Sequence, residues 1–369
     1  MASSTPCNYV FSSSLLFKRT FIAFARYQSS LNQFLELFDR SVAAAQSGQS
    51  TKARVDNIAL CLTSVVFKAV SRGLFNEHKN LFGLTTALKI SLSLGHFDRN
   101  DVGALLGVSF GSKSDGSSSK VPWLKAEQWQ RLQEAEKLSS NIRYAMDAML
   151  QDSTPWKDWL SGDDLERRVP SYTNKSPLLD LILIRCVRED RTMQAVTVTI
   201  ERMLGAEFTQ ASVIDFIAVA AEVTPTTPIV FLLSAGTDPS QQIESAARKK
   251  RIKLTIVSMG QGQEAAAKSA ISTSRVSGGW VLLQNGHLGL PLMVDVVSLL
   301  QICDVGELSS EFRLWITTPP HPDFPISLLH CAIKITNQPP TGLQAGMRRT
   351  LQVSLGCRLL FHSISDAWD

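Results

Sequence analysis

The chain has 369 residues, 44% of them hydrophobic and 19% charged, with a net charge of +4. That length predicts about two or three domains with ample core, and the charge is too small and too dispersed to argue for nucleic acid. No apolar run approaches the ~20 residues of a membrane span, and six scattered cysteines (Cys7, Cys61, Cys186, Cys303, Cys331, Cys357) without a Cys-x-x-Cys pair read as reduced thiols.

Residues Met1–Thr20 are Ser-rich, carry Lys18 and Arg19, and precede the first acid, Glu36. The composition loosely resembles an organelle transit peptide, but an unstructured start is the preferred expectation. From Phe21 to Val42 the pattern turns helical, with Leu31, Phe34, Leu35, Phe38 and Val42 predicted on one core-facing stripe. Ile58–Val70 and Leu81–Leu94 predict two more amphipathic helices, and His78 between them reads as structural. Gly111–Lys120 is a Ser/Gly-rich loop or linker. A helical stretch opens with Trp123, Trp129 and Leu132 and runs to about Met149. The pair Trp156 and Trp159 has the spacing of a base-stacking platform, yet beside a helical layer such tryptophans are expected as core pegs. Leu178–Val187 is strongly apolar and leads into Arg185-Cys186-Val187-Arg188-Glu189-Asp190-Arg191. Thr224-Pro225-Thr226-Thr227-Pro228 closes this helical half.

The next stretch organises the chain. Pro228–Ser234 is a continuous apolar run, as expected of a strand covered on both faces. Lys253–Met259, Trp280–Gln284 and Arg313–Thr317 predict three further strands, and helical patterns follow the first two at Ser240–Lys250 and Gln263–Ser274. Alternation of this kind implies an α/β fold: a parallel sheet in a three-layer sandwich, preceded by a mainly α-helical region. Ligands of such sheets sit at the carboxyl ends of the strands. A phosphate-binding loop there needs a Gly-rich turn, a lysine for the phosphates and a hydroxyl for Mg²⁺. The turn after the first strand offers Gly236, Thr237, Asp238, Pro239 and Ser240 but no lysine, and no Gly-Lys pair occurs in the chain. Where an acidic pair should hold the metal, the third strand ends in the neutral amides Gln284 and Asn285. The sheet has the layout of a nucleotide machine without its chemistry.

Two other patterns fall away. Gly260-Gln261-Gly262-Gln263-Glu264-Ala265 satisfies a dinucleotide fingerprint, but no acid stands about 20 residues further on, so a tight turn is expected. His321, His330 and Cys331 lack the close paired spacing of zinc ligands, and no metal is assigned.

Thr227–Ser234, Gly236-Thr237-Asp238-Pro239, Ser258–Gln263, Gly279–Leu288, Phe312–Thr318 and Thr336–Pro340 resemble, in this order, the sixth AAA+ module of dynein heavy chains. The similarity is strongest to the outer-arm axonemal class. Tyr27–Leu35, Arg72-Gly73-Leu74-Phe75, His78-Lys79, Leu81-Phe82 and Gly342–Thr350 also resemble this family, so the likeness covers about Phe21 to Thr350. It implies a C-terminal piece of a heavy chain, spanning the end of the fifth module and most of the sixth. The sheet is then a degenerate AAA+, P-loop NTPase-like one that does not hydrolyse ATP.

The expected organisation is a disordered or non-family start (1–20), a lid-like helical region (21–110), a linker (111–120), a helical extension (121–225), a degenerate AAA+ α/β domain (226–340) and a divergent tail (341–369). The family's lid and C-terminal domain do not follow Thr350, so exposed apolar surface is expected around Leu351–Phe361. Arg188 and Arg191 are candidates for contact with a neighbouring module, in the manner of arginine fingers; a structural ion pair with Glu189 or Asp190 is preferred. The resemblance implies no cofactor in this chain, with ATP and Mg²⁺ held by other modules. It implies as partners the remaining heavy-chain modules, dynein intermediate, light intermediate and light chains, and microtubules through the intact motor. It places the protein in the cytoplasm, cytoskeleton and ciliary or flagellar axoneme. Two alternatives stand beside this structural, force-transmitting role: an autonomous nucleotide-dependent enzyme on a Rossmann-like sheet, and a helical partner-binding module.

Overall fold

A computed structural model describes residues 30–48, 50–107, 120–209, 214–301, 308–339 and 347. The expectations for the first 20 residues, for all but the last residue of the 111–120 linker and for the apolar tail at 351–361 fall outside these residues. The chain divides into two compact units, one built from residues 31–71 and 76–212, the other centred on residues 72–75 and 213 onward.

The first unit is helical. Its axis is the helix Pro177–Val187, in which every side chain after Pro177 is buried except Arg185. An apolar run of that kind cannot sit on a surface, so neighbouring helices cover it all round. Ser176 caps it by accepting from Leu179 N, and Pro177 occupies the position where a missing N–H costs nothing. Around it pack Ala126–Leu138, Ile142–Gln151, Thr154–Ser161 and Thr192–Leu204. Trp156 and Trp159 stand edge to face in this core, 5.6 Å apart, and Trp159 Nε1 donates to Leu165 O at 2.8 Å. They are core pegs, not a stacking platform. The helical stretch expected to run to about Met149 consists of two helices, separated at Ser139, whose hydroxyl donates to the buried Asp101 carboxylate.

The helix Leu31–Ala44 corrects the predicted stripe. Of the stripe, Phe34 is buried and Phe38 and Val42 are half-buried, whereas Leu31 and Leu35 are exposed; Leu37 and Ser41 are buried as well. Ser41 tolerates burial because its hydroxyl donates to Leu37 O at 2.6 Å. Arg54, from the following helix Thr51–Ser71, donates to Val42 O, Ala45 O and Gln46 O at the C-terminal end of the first helix. These bonds satisfy carbonyls that the helix end leaves without an intrahelical donor.

The second unit holds a five-stranded, wholly parallel sheet: β1 (Ile229–Leu233), β2 (Leu254–Ser258), β3 (Trp280–Gln284), β4 (Arg313–Thr318) and β5 (Ile333–Asn337), in the order β2-β3-β4-β1-β5. The helices Ser240–Lys250, Glu264–Ser277, Leu290–Gln301 and Ile326–Cys331 form the crossovers. β1, β3 and β4 are buried almost throughout, which is why β1 and most of β3 read as continuous apolar runs. Phe231, Trp315 and Trp280 pack across three adjacent strands, with ring centroids 6.0 and 5.1 Å apart. β5 is an additional strand that the sequence pattern did not suggest. Its outer edge is covered by the chain itself: Thr336 N and Oγ1 bond to Arg72 O, and Oγ1 also donates to Leu74 O.

Candidate functional site

β1 lies between β4 and β5, so the path leaves it one way towards β2 and returns past it from β4 to β5. This is the switch point where a doubly wound sheet opens its crevice, at the carboxyl ends of β1 and β4. The turn between β1 and the helix Ser240–Lys250 stands there. Gly236 makes the turn possible with a φ of 75°. Thr237 is buried and ties the ends of two strands together: its hydroxyl donates to Ser234 O at 2.7 Å and to Asn337 O at 3.0 Å.

The helix start is closed by the chain's own carboxylate. Asp238 Oδ1 accepts from Ser240 N at 2.9 Å and from Ser240 Oγ at 2.6 Å. Gln284 Nε2, at the end of β3, donates to the same Ser240 Oγ at 2.7 Å. Gln284, Ser240 and Asp238 thus form a directed relay of amide, hydroxyl and carboxylate. Ser240 Oγ spends its proton on Asp238 and its lone pair on Gln284, and its main-chain N–H is engaged as well. An incoming phosphate meets a negative charge where a P-loop presents donors, and Pro239 contributes no N–H. Asn285, next to Gln284, has a left-handed φ of 55° and donates its N–H to Thr317 Oγ1 at 3.3 Å. The structure therefore joins Asp238, Ser240 and Gln284 in one bonded cluster, while Thr237 beside it bonds to the ends of β1 and β5. Among the described residues, no group of three or more His, Cys, Asp or Glu side chains has the arrangement of a metal site.

The sequence missed one pair at the same end of the sheet. His287 follows β3 and His321 follows β4, with ring centroids 6.2 Å apart. Burial and the neighbouring His321 hold His287 below its usual range. The position of His321 just after a strand end was the signal available. The segment Gly260-Gln261-Gly262 is a tight turn, with Gly262 at a φ of 79° and Gln263 N donating to Gly260 O.

Arg188 and Arg191 lie in the helical unit, the first just before and the second at the end of a short 3₁₀ turn, Glu189–Arg191. Arg188 forms a two-point bond with Asp190 at 2.9 and 2.8 Å and donates to Leu160 O. Arg191 grips Glu166 with bonds of 2.6 and 3.0 Å and donates to Asp163 O at 2.6 Å. Burial pushes the Glu166 carboxyl upward, but the Arg191 bonds and the charges of Arg191 and Arg188 together hold it below its ordinary range. Asp190 is thus the partner of Arg188, while the partner of Arg191 stands 25 positions upstream rather than beside it.

Comparison with known proteins agrees with this architecture. Residues 224–336 match the family described as the dynein heavy chain region D6 P-loop domain. Among curated relatives, mouse dynein axonemal heavy chain 8 is 38% identical over 331 residues and mouse dynein axonemal heavy chain 5 is 36% identical over 347. The Chlamydomonas reinhardtii dynein gamma chain of the flagellar outer arm is 34% identical over 337. These alignments take in 88%, 90% and 88% of this chain, which spans only 7% of the length of each relative. With its parallel sheet, its P-loop-like turn and this family match in the same residues, the chain belongs to the dynein heavy chain family.

Proposed function

We propose that this chain is a structural, force-transmitting sector of a dynein motor ring and does not itself hydrolyse ATP. The observation that carries the proposal is the closure of the β1 turn by Asp238, Ser240 and Gln284 at the point where a nucleotide machine binds phosphate. Productive ATP binding has to offset about four phosphate charges with Mg²⁺, a lysine and oriented N–H groups. This turn has no lysine, adds the charge of Asp238, and ends β3 in amides that bind a hard cation poorly. ATP and Mg²⁺ then belong to other modules of the motor, and no cofactor belongs to this chain.

On this reading the sector passes on shifts generated elsewhere in the ring, acting as a packed, rigid element in a minus-end-directed microtubule motor that drives ciliary movement. Its immediate partners are the other heavy-chain modules. Dynein intermediate, light intermediate and light chains and the microtubule are reached through the whole motor. The names of the relatives, axonemal and flagellar, support placement in the cytoskeleton of the axoneme. Arg188 and Arg191 are proposed to stiffen their own unit; a second role towards a neighbouring module requires exchange of the Asp190 and Glu166 partners. The test is turnover: purified chain with Mg²⁺ and ATP should release phosphate no faster than a no-protein control. Magnesium-dependent turnover that survives further purification rejects the proposal and revives an autonomous enzyme.

A further inference from the structure

The two edges of the sheet are finished differently. Thr336 on β5 is bonded to the segment Arg72–Leu74, whereas β2 is an edge that no described segment pairs. Lys253 O accepts from Trp280 N and Met259 N donates to Gln284 O. Alternate residues of a strand turn their main-chain groups to opposite sides, so Lys253, Thr255, Val257 and Met259 address β3. Leu254, Ile256 and Ser258 therefore present N–H and C=O groups outward. The strand Leu-Thr-Ile-Val-Ser carries no charge along its length, and Ile256 is 45% exposed. Charges, bulges or prolines within an edge strand are the usual guards against pairing, and β2 has none of them.

Immediately before this edge stands a cluster of cations: Arg248, Lys249, Lys250, Arg251 and Lys253, all exposed. Only Arg248 among them has a carboxylate partner within the described residues, Glu244 at 2.7 Å. The helix dipole accounts for basic residues at the end of Ser240–Lys250. It does not account for Lys253 beyond the helix, and the C-cap Arg251 holds a left-handed φ of 58° where glycine is the inexpensive residue.

We propose that the β2 edge and this cationic cluster form one docking surface for an acidic, extended segment of a partner protein, which adds beside β2 as a further strand. Main-chain bonds to Leu254, Ile256 and Ser258 supply the pairing, Ile256 an apolar contact, and the cations select acidic residues. The inference does not depend on the motor-ring reading.

The experiment is fluorescence anisotropy of the full chain with a labelled eight-residue peptide of alternating Val and Glu. Three controls accompany it: the same peptide with Lys in place of Glu, the acidic peptide with alternate amides N-methylated, and a short single-stranded oligonucleotide. Saturable binding of the acidic peptide is expected, with none of the lysine peptide. A combined Lys249→Glu, Lys250→Glu, Lys253→Glu variant should weaken binding at least tenfold. Ile256→Pro, which removes an outward N–H and no bond to β3, should weaken it comparably. N-methylation tests the same bonds on unaltered protein should that variant fold poorly. Absence of saturable binding overturns the proposal. So does equal binding of the methylated peptide or of the oligonucleotide, because charge alone then explains the surface.

Discussion

The helical unit and the switch point of the sheet both hold polar groups out of water, but they neutralise them by different means. In the helical unit the means is charge against charge. Arg191 meets Glu166, and Arg202 meets the buried Asp180, which also accepts from Tyr172. At the switch point a carboxylate is met by uncharged donors instead, in the relay Gln284 to Ser240 to Asp238, with Thr237 spanning two carbonyls. The lesson is that residue types able to serve phosphate chemistry are here consumed by local geometry. Asp238 is a helix-start acceptor, and Gln284 is a donor to a neighbouring hydroxyl. Ion pairs in a low-dielectric setting are costly to break one-sidedly, whereas capping bonds near solvent are cheap. The two regions should therefore respond to substitution on different scales.

The largest effect is expected at a cation that follows neither pattern. Lys334 is buried in β5 and donates to Leu329 O and Ala332 O, at the end of the helix Ile326–Cys331. Burial pulls its ammonium down to about 7 from an ordinary 10.5. The unfolded chain then binds more protons than the folded one between those values, so stability should rise with pH across that window. A gain of about 3 kcal/mol between pH 7 and pH 10 is expected from the size of the shift. Denaturant melts at both pH values should show the slope in the native chain, and Lys334→Met should flatten it.

Next comes Glu166→Ala, which strips Arg191 of its two-point partner. A loss of about 2 kcal/mol is expected, below the range for fully enclosed pairs because Arg191 reaches solvent. Here the folded carboxyl is depressed, so its contribution is fully present above the ordinary value of 4.5 and is lost as pH falls through the lower folded value. Urea melts at pH 7 and pH 3 should therefore differ less for Glu166→Ala than for the native chain. Asp238→Ala should cost about 1 kcal/mol, typical of a lost helix-start acceptor, with Asp238→Asn recovering much of it in thermal melts. The smallest effect belongs to Arg188→Ala. Its partner Asp190 is exposed, and the melting temperature should not move measurably.

Legibility in the sequence followed the same physics. β1 and β3 announced themselves because burial on both faces forces an apolar run, and β4 through its Leu-Trp-Ile centre. β5 did not, since Ile-Lys-Ile-Thr-Asn places a lysine in the core and relies on nearby carbonyls to hold it. The stripe on Leu31–Ala44 was legible at Phe34, Phe38 and Val42 but missed Ser41, a serine that takes a core position by bonding to its own helix. The turn was legible as the absence of a lysine, together with the absence of an acidic pair at the end of β3. Its positive content was not: Gln284 reaches Ser240 across 44 residues, and no local pattern encodes that bond. Arg191 likewise finds Glu166 through tertiary packing rather than along its own turn.

The claim at the centre of this account is that Asp238 fills the place of a phosphate. Equilibrium binding of ATP tests it most directly. With millimolar ATP and Mg²⁺, the full chain should show no shift in melting temperature and no saturable heat in calorimetric titration. A saturable shift that is abolished by charge reversal beside Gly236 would contradict the account.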